Sequence, residues 1–181
     1  DMKAIAKEAL EEHGIERKES TVERFLKKFH KIKARCGINY ISGFLLPDSK
    51  CQLDFETKRY INNQCEEKTE QVFVSTLLRQ RKYLSLDFDD LIYFTLYILD
   101  NFDDVRGKWQ RKMNYVMVDE AQDCNEKDWE IYEILSEMHG NLFLVGDPDQ
   151  TIYEWRGAHL EKFVGWIPKT DVIMAQNYRS T

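Results

Sequence analysis

The residues best placed to do chemistry lie in the last third of the 181-residue chain. Tyr115-Val116-Met117-Val118 is a short apolar, β-branched run that ends in Asp119-Glu120, and Asn141-Leu142-Phe143-Leu144-Val145-Gly146 repeats the design before Asp147. A carboxylate pair at a strand end can anchor Mg²⁺ through its water shell with the first group and orient or deprotonate a water with the second, which is the need of a nucleoside triphosphatase. Acidic pairs also follow strands for purely structural reasons, so the pair alone does not decide the chemistry. More polar residues follow in the same stretch: Gln150, then Tyr153, Trp155 and Arg156, then Arg179.

Groups at strand ends need a sheet to hold them. After the strand at 115–118 comes a predicted helix over about Glu126 to Met138, a strand at 141–147, a helical stretch near Leu160, and a third strand at Asp171-Val172-Ile173-Met174. That alternation is the signature of a parallel sheet with crossover helices, whose active groups gather at the carboxyl ends of the strands.

The first hundred or so residues have helical texture instead. Ser20-Thr21-Val22-Glu23 has the form of a helix start, Val22, Phe25, Leu26, Phe29, Ile32 and Lys33 recur at helical spacing, and Gly37 is the expected stop. Arg24, Lys27, Lys28, Lys31, Lys33 and Arg35 give this helix a basic bias, either a solvated face or contact with a nucleic-acid backbone. Gly43, Pro47, Asp48 and Ser49 mark residues 42–57 as a loop. Further helices are expected from about Lys58 to Tyr83, Phe88 to Leu99 and Val105 to Lys112. Asp89 and Asp90 open the second of these, where acids favour the positive end of the helix dipole. His13, His30, His139 and His159 have no partner pattern that suggests chemistry.

No run approaches the roughly 18 apolar residues of a membrane helix, and the N-terminal residues have no signal-peptide core, so an intracellular protein is expected, cytoplasmic or, in a eukaryote, nuclear. Cys36, Cys51, Cys65 and Cys124 are scattered without a CxxC pair, as expected of reduced thiols rather than a zinc site or a disulfide framework. The net charge of −6 is unevenly spread: residues 1–113 hold 21 Lys and Arg against 19 Asp and Glu, residues 114–181 hold 5 against 13. An acidic total does not exclude nucleic acid, because single strands are bound in large part by stacking on aromatic rings.

The strings Val118-Asp119-Glu120-Ala121-Gln122-Asp123, Leu144-Val145-Gly146-Asp147-Pro148-Asp149-Gln150-Thr151-Ile152-Tyr153-Glu154-Trp155-Arg156-Gly157-Ala158 and Gln176-Asn177-Tyr178-Arg179-Ser180-Thr181 together resemble, in order and spacing, the second, third and fourth motifs of the UvrD/PcrA/Rep family of superfamily 1 DNA helicases. Leu86-Asp87-Phe88-Asp89-Asp90-Leu91 looks like a further hallmark of that family.

The resemblance implies an α/β fold, helix-rich overall. A helical subdomain inserted in the first motor domain would occupy residues 1–112, and part of a parallel RecA-like sheet, as in P-loop NTPases, would occupy residues 113–181. It implies ATP and Mg²⁺ as cofactors, with Asp119 and Glu120 at the metal, Glu120 activating water, and Gln150 and Arg179 contacting the γ-phosphate. Tyr153, Trp155 and Arg156 would meet single-stranded DNA, the partner together with single/double-strand junctions. Travel in the 3′ to 5′ direction is implied by the resemblance alone.

Departures from the family pattern are plain. No GxxxxGK[ST] phosphate loop occurs in the 181 residues, and Ala121 stands where many relatives carry an aromatic residue. Both ends look cut, so the chain is expected to be a fragment that needs the missing parts of the same motor and hydrolyses no ATP alone. Two other readings stay open at this point: a non-catalytic DNA- or protein-binding module, and the motor part of a helicase-nuclease.

Overall fold

The computed structural model describes residues 1–41, 58, 59, 61, 63, 68–151, 158–167, 170–174 and 176. The chain divides into two compact units, Asp1–Trp109 and Gln110–Thr181.

The first unit is helical among its described residues. Helix α1 (Met2–Glu12) is capped by the Asp1 side chain, which accepts the Lys3 N–H at 2.9 Å, and buries Ile5, Ala6, Ala9 and Leu10 on one face. Helix α2 (Glu19–Cys36) buries Val22, Phe25, Phe29 and Ile32 and stops at Gly37, whose φ of 55° is a conformation glycine adopts without a Cβ penalty. Its start differs from the sequence expectation: Ser20 lies inside the first turn, and Lys18 precedes the helix without a side-chain cap. Helix α3 (Thr69–Lys82) lies against α1 and brings Phe73 to 4.9 Å from Phe29, ring centroid to centroid. It begins after Lys68, whose φ of 73° is left-handed, so the single helix expected over 58–83 is interrupted there, because a right-handed helix cannot run through such a residue. The loop expected at 42–57 lies outside the described residues.

Helix α4 (Phe88–Asn101) begins with a reciprocal cap: Asp87 Oδ1 accepts the Asp90 N–H at 2.8 Å and Asp90 Oδ2 accepts the Asp87 N–H at 2.9 Å. Asp90 thus does more than complement a dipole. It is fully buried, and the ammonium of Lys33 lies 2.5 Å from Asp90 and 2.6 Å from Asp87. Tyr40 and Gln80 also donate to Asp90, at 2.6 and 2.9 Å. Lys33, which the sequence places both at the apolar helical spacing and among the basic residues, is therefore a core residue, whereas Arg24, Lys27, Lys31 and Arg35 are exposed. Helix α5 (Asp103–Lys112) follows.

In the second unit, β1 (Val116–Val118) and β2 (Leu142–Leu144) pair in parallel, with Met117 opposite Phe143, and the crossover between them carries α6 (Glu126–Ser136). Asn125 caps α6 by accepting the Lys127 and Asp128 N–H groups, and Asp128 returns a bond to the Asn125 N–H. Val118, Ala121, Cys124 and Trp129 form the core, with Val116, Tyr132, Leu142, Leu144, Phe163 and Trp166 packed around them. Helix α7 (Leu160–Val164) adds Phe163 to this cluster. The third expected strand is not seen among the described residues: residues 171–174 pair with no described strand, and Val172, Ile173 and Met174 are 74, 85 and 78% exposed. A β-branched run becomes a strand only where a neighbour takes up its backbone groups.

Candidate functional site

The site is built at the carboxyl end of β1. The chain leaves the strand through Asp119 and reverses at Glu120, whose φ of 52° and ψ of 41° are left-handed, a conformation that costs a non-glycine residue roughly 1–2 kcal/mol. The reversal is held on both sides. Asp119 Oδ1 accepts the Glu120 N–H at 3.0 Å, and the Ala121 N–H bonds the Val145 carbonyl at 2.9 Å. Both carboxylates are exposed, on a turn anchored below by buried Val118 and Ala121.

Beneath the turn lies Gln122, only 1% exposed. Its Nε2 donates to Glu120 Oε2 at 2.7 Å, and its Oε1 accepts the Asp147 N–H at 3.1 Å, just beyond β2. Gly146 makes room for it: a Cβ there would stand 2.4 Å from Gln122 Oε1 and 3.0 Å from the Phe163 ring.

Asp147 then organises the turn Pro148–Gln150. One of its carboxylate oxygens accepts the Asp149 N–H at 3.0 Å, the other accepts the Gln150 side-chain amide at 2.5 Å, and its carbonyl accepts the Gln150 N–H at 3.0 Å. Glu120, Gln122, Asp147 and Gln150 are thereby linked by successive hydrogen bonds across the ends of the two strands. Under the turn, burial pushes the Cys124 thiol up from its ordinary value, and its sulfur lies 3.9 Å from the Glu120 carbonyl and 3.7 Å from the Tyr132 hydroxyl. Burial also raises the Tyr132 phenol and the Asp128 carboxyl.

Among the described residues, no group of three or more His, Cys, Asp or Glu side chains forms a protein cage for a metal. The donor set that is present, two adjacent exposed carboxylates at a strand end, suits an ion that takes one or two protein oxygens and keeps waters and phosphate oxygens for the rest, as Mg²⁺ does. Of the site residues read from sequence, Asp119, Glu120 and Gln150 fall at this strand edge. Tyr153, Trp155, Arg156 and Arg179 lie outside the described residues. Gln122 was passed over by sequence reasoning. The available signal was a polar residue two positions after Glu120 in a turn that has to be buried.

His30, in the first unit, does have a partner: its Nδ1 lies 3.2 Å from Asp89. That hydrogen bond raises its pKa against the opposing effect of burial. No described helix is long and apolar enough to cross a membrane.

Residues 2–169 match the family model of the UvrD/REP helicase N-terminal domain. The chain is 35% identical, over its full length, to a probable DNA helicase II homolog of Mycoplasma capricolum, of which it covers 24%. It is 44% identical over 56% of its length to the ATP-dependent DNA helicase PcrA of Bacillus subtilis, and 42% identical over 53% to the ATP-dependent DNA helicase Rep of Escherichia coli, covering 15% of each. The chain thus spans a quarter or less of these relatives' length.

Proposed function

The chain belongs to the UvrD/REP helicase family, and we propose that it carries one wall of the ATP-hydrolysing site of a DNA-translocating motor, together with a helical subdomain, residues 1–112, inserted in the first motor domain. The observation that carries this reading is the hydrogen-bonded series Glu120, Gln122, Asp147 and Gln150 across the ends of two parallel strands.

In this reading Glu120 accepts the proton of the attacking water, and Gln150 donates to the γ-phosphate from the turn that Asp147 organises. Asp119 would hold Mg²⁺ with Glu120 beside it, and the ion would supply neutralisation of phosphate charge. Arg179 is assigned the second γ-phosphate contact, where a fixed cation stabilises the dispersed charge of the transferring phosphoryl group. Tyr153 and Trp155 would stack bases of single-stranded DNA, with Arg156 on a base or phosphate, at roughly 1–3 kcal/mol per stacked base and without regard to sequence. Movement 3′ to 5′ and action at single/double-strand junctions belong to the same proposal. The phosphate-binding loop is not among these 181 residues, so the chain by itself is expected to hydrolyse no ATP.

The test is DNA-stimulated ATP hydrolysis by the complete polypeptide with Glu120→Gln, which keeps the side chain's shape and removes the base. Turnover should fall about 100-fold or more while Mg-ATP and DNA still bind. Wild-type turnover in that variant would remove Glu120 from the chemistry.

A further inference from the structure

Resting on the reading of Glu120 as the water-activating carboxylate, we propose that Gln122 is a positioning residue for hydrolysis: its amide bridges the Glu120 carboxylate to the Asp147 backbone and ties the water-activating group to the turn that presents Gln150. The amide's orientation is dictated by its neighbours. A backbone N–H only donates, so the Asp147 N–H at 3.1 Å fixes Oε1 on that side. The NH₂ group is then turned to the Glu120 carboxylate, at 2.7 Å.

At 1% exposure, Gln122 is not competing with bulk water for either partner, and Gly146 leaves the space that its Oε1 fills. Glu120, by contrast, is exposed and its side chain has three torsions to fix; the Gln122 bond selects one arrangement. A carboxylate has capacity for further donors, so the bond does not occupy the position a water needs. Because Gln150 hangs from the same Asp147, a shift of the 147–150 turn on γ-phosphate contact is carried to Glu120 through one buried amide.

The test uses the complete polypeptide with Gln122→Met, which deletes both bonds at similar length, Gln122→Glu, assayed up to a pH at which the new carboxyl is ionised, where it keeps the acceptor for Asp147 and removes the donor to Glu120, Glu120→Gln, and the double variant Glu120→Gln/Gln122→Met. Steady-state DNA-stimulated ATP hydrolysis and binding of a non-hydrolysable ATP analogue with Mg²⁺ are measured for each. For the two single Gln122 variants kcat should fall about 10- to 100-fold, the loss expected for a bond to a charged group, with KM and analogue binding within about twofold. The double variant should be no slower than Glu120→Gln alone, since a residue that acts through Glu120 has nothing left to position. Wild-type kcat in Gln122→Glu, or a further loss in the double variant, overturns the role of Gln122 while an inactive Glu120→Gln leaves the parent reading standing. An active Glu120→Gln overturns both. If Gln122→Met does not fold, Gln122→Glu, which retains the contact to Asp147, decides.

Discussion

Replacing Lys33 by Met should destabilise the helical unit by about 3–5 kcal/mol at neutral pH, because the substitution leaves two carboxylates without their cation inside a core. Lys33 is 0% exposed, and its ammonium meets Asp87 at 2.6 Å and Asp90 at 2.5 Å, themselves 10 and 0% exposed. Methionine keeps the apolar length that packs against Phe29 and Tyr40, whose rings lie 5.2 Å from the Lys33 nitrogen, so a large loss would come from charge rather than from a cavity. Burial alone would raise both acids. At Asp90 it is outweighed by Lys33, Tyr40 and the Asp87 N–H, which hold the carboxyl below its ordinary value; at Asp87 burial prevails and the carboxyl sits above it.

Against a total of about 5–15 kcal/mol for a typical domain, the loss is large, on the order of 10–30 °C in midpoint. Urea unfolding followed by far-ultraviolet circular dichroism reads it directly. Adding Asp90→Asn to Lys33→Met should recover part of the loss by removing an uncompensated charge. A loss below about 1 kcal/mol, the size of an exposed ion pair, would refute the reasoning, as would an Asp90→Asn that adds its full cost instead of compensating. The depressed Asp90 also sets a sign: its contribution is present above the ordinary carboxylate range and fades as pH falls through the lowered value.

Two further outcomes are expected. Gly146→Ala places a methyl 2.4 Å from Gln122 Oε1, so it should destabilise the second unit by about 1–3 kcal/mol and lower ATP turnover in the complete polypeptide as the Gln122 variants do; a stable protein with wild-type turnover would show that the amide moves aside freely. The His30 pKa is raised by its bond to Asp89, so its stabilising effect is full below about pH 6.5 and is lost as pH rises through the elevated value. With His30 42% and Asp89 50% exposed, screening limits that effect to about 0.5 kcal/mol, and His30→Gln should flatten the slope of thermal midpoint against pH across that window.

Helix boundaries were legible where local chemistry specified them. Gly37 ends α2 because a left-handed stop suits glycine, and β1 and β2 lie where short apolar runs meet acids. Local spacing misjudged what depends on a partner. Residues 171–174 have strand composition and, among the described residues, no strand beside them, and the helix expected through 58–83 meets the left-handed Lys68. Lys33 falls at an apolar spacing position and carries a charge, and whether such a residue faces water or core depends on Asp87 and Asp90, more than fifty residues away.

The order and spacing of Asp119, Glu120 and Gln150 were determined by sequence, because strand ends and the chemistry of carboxylates and amides follow from residue type along the chain. Membership of the helicase family was legible there for the same reason, and full-length similarity bears it out. What the tertiary structure decided is that these groups share one hydrogen-bonded edge. Gln122 and Asp147 are twenty-five positions apart and meet only because β1 and β2 pair in parallel with Val118 opposite Leu144, and only because Gly146 leaves the space between them. A pattern along the chain records which groups are present, while the pairing of strands sets which of them are close enough to share a proton donor.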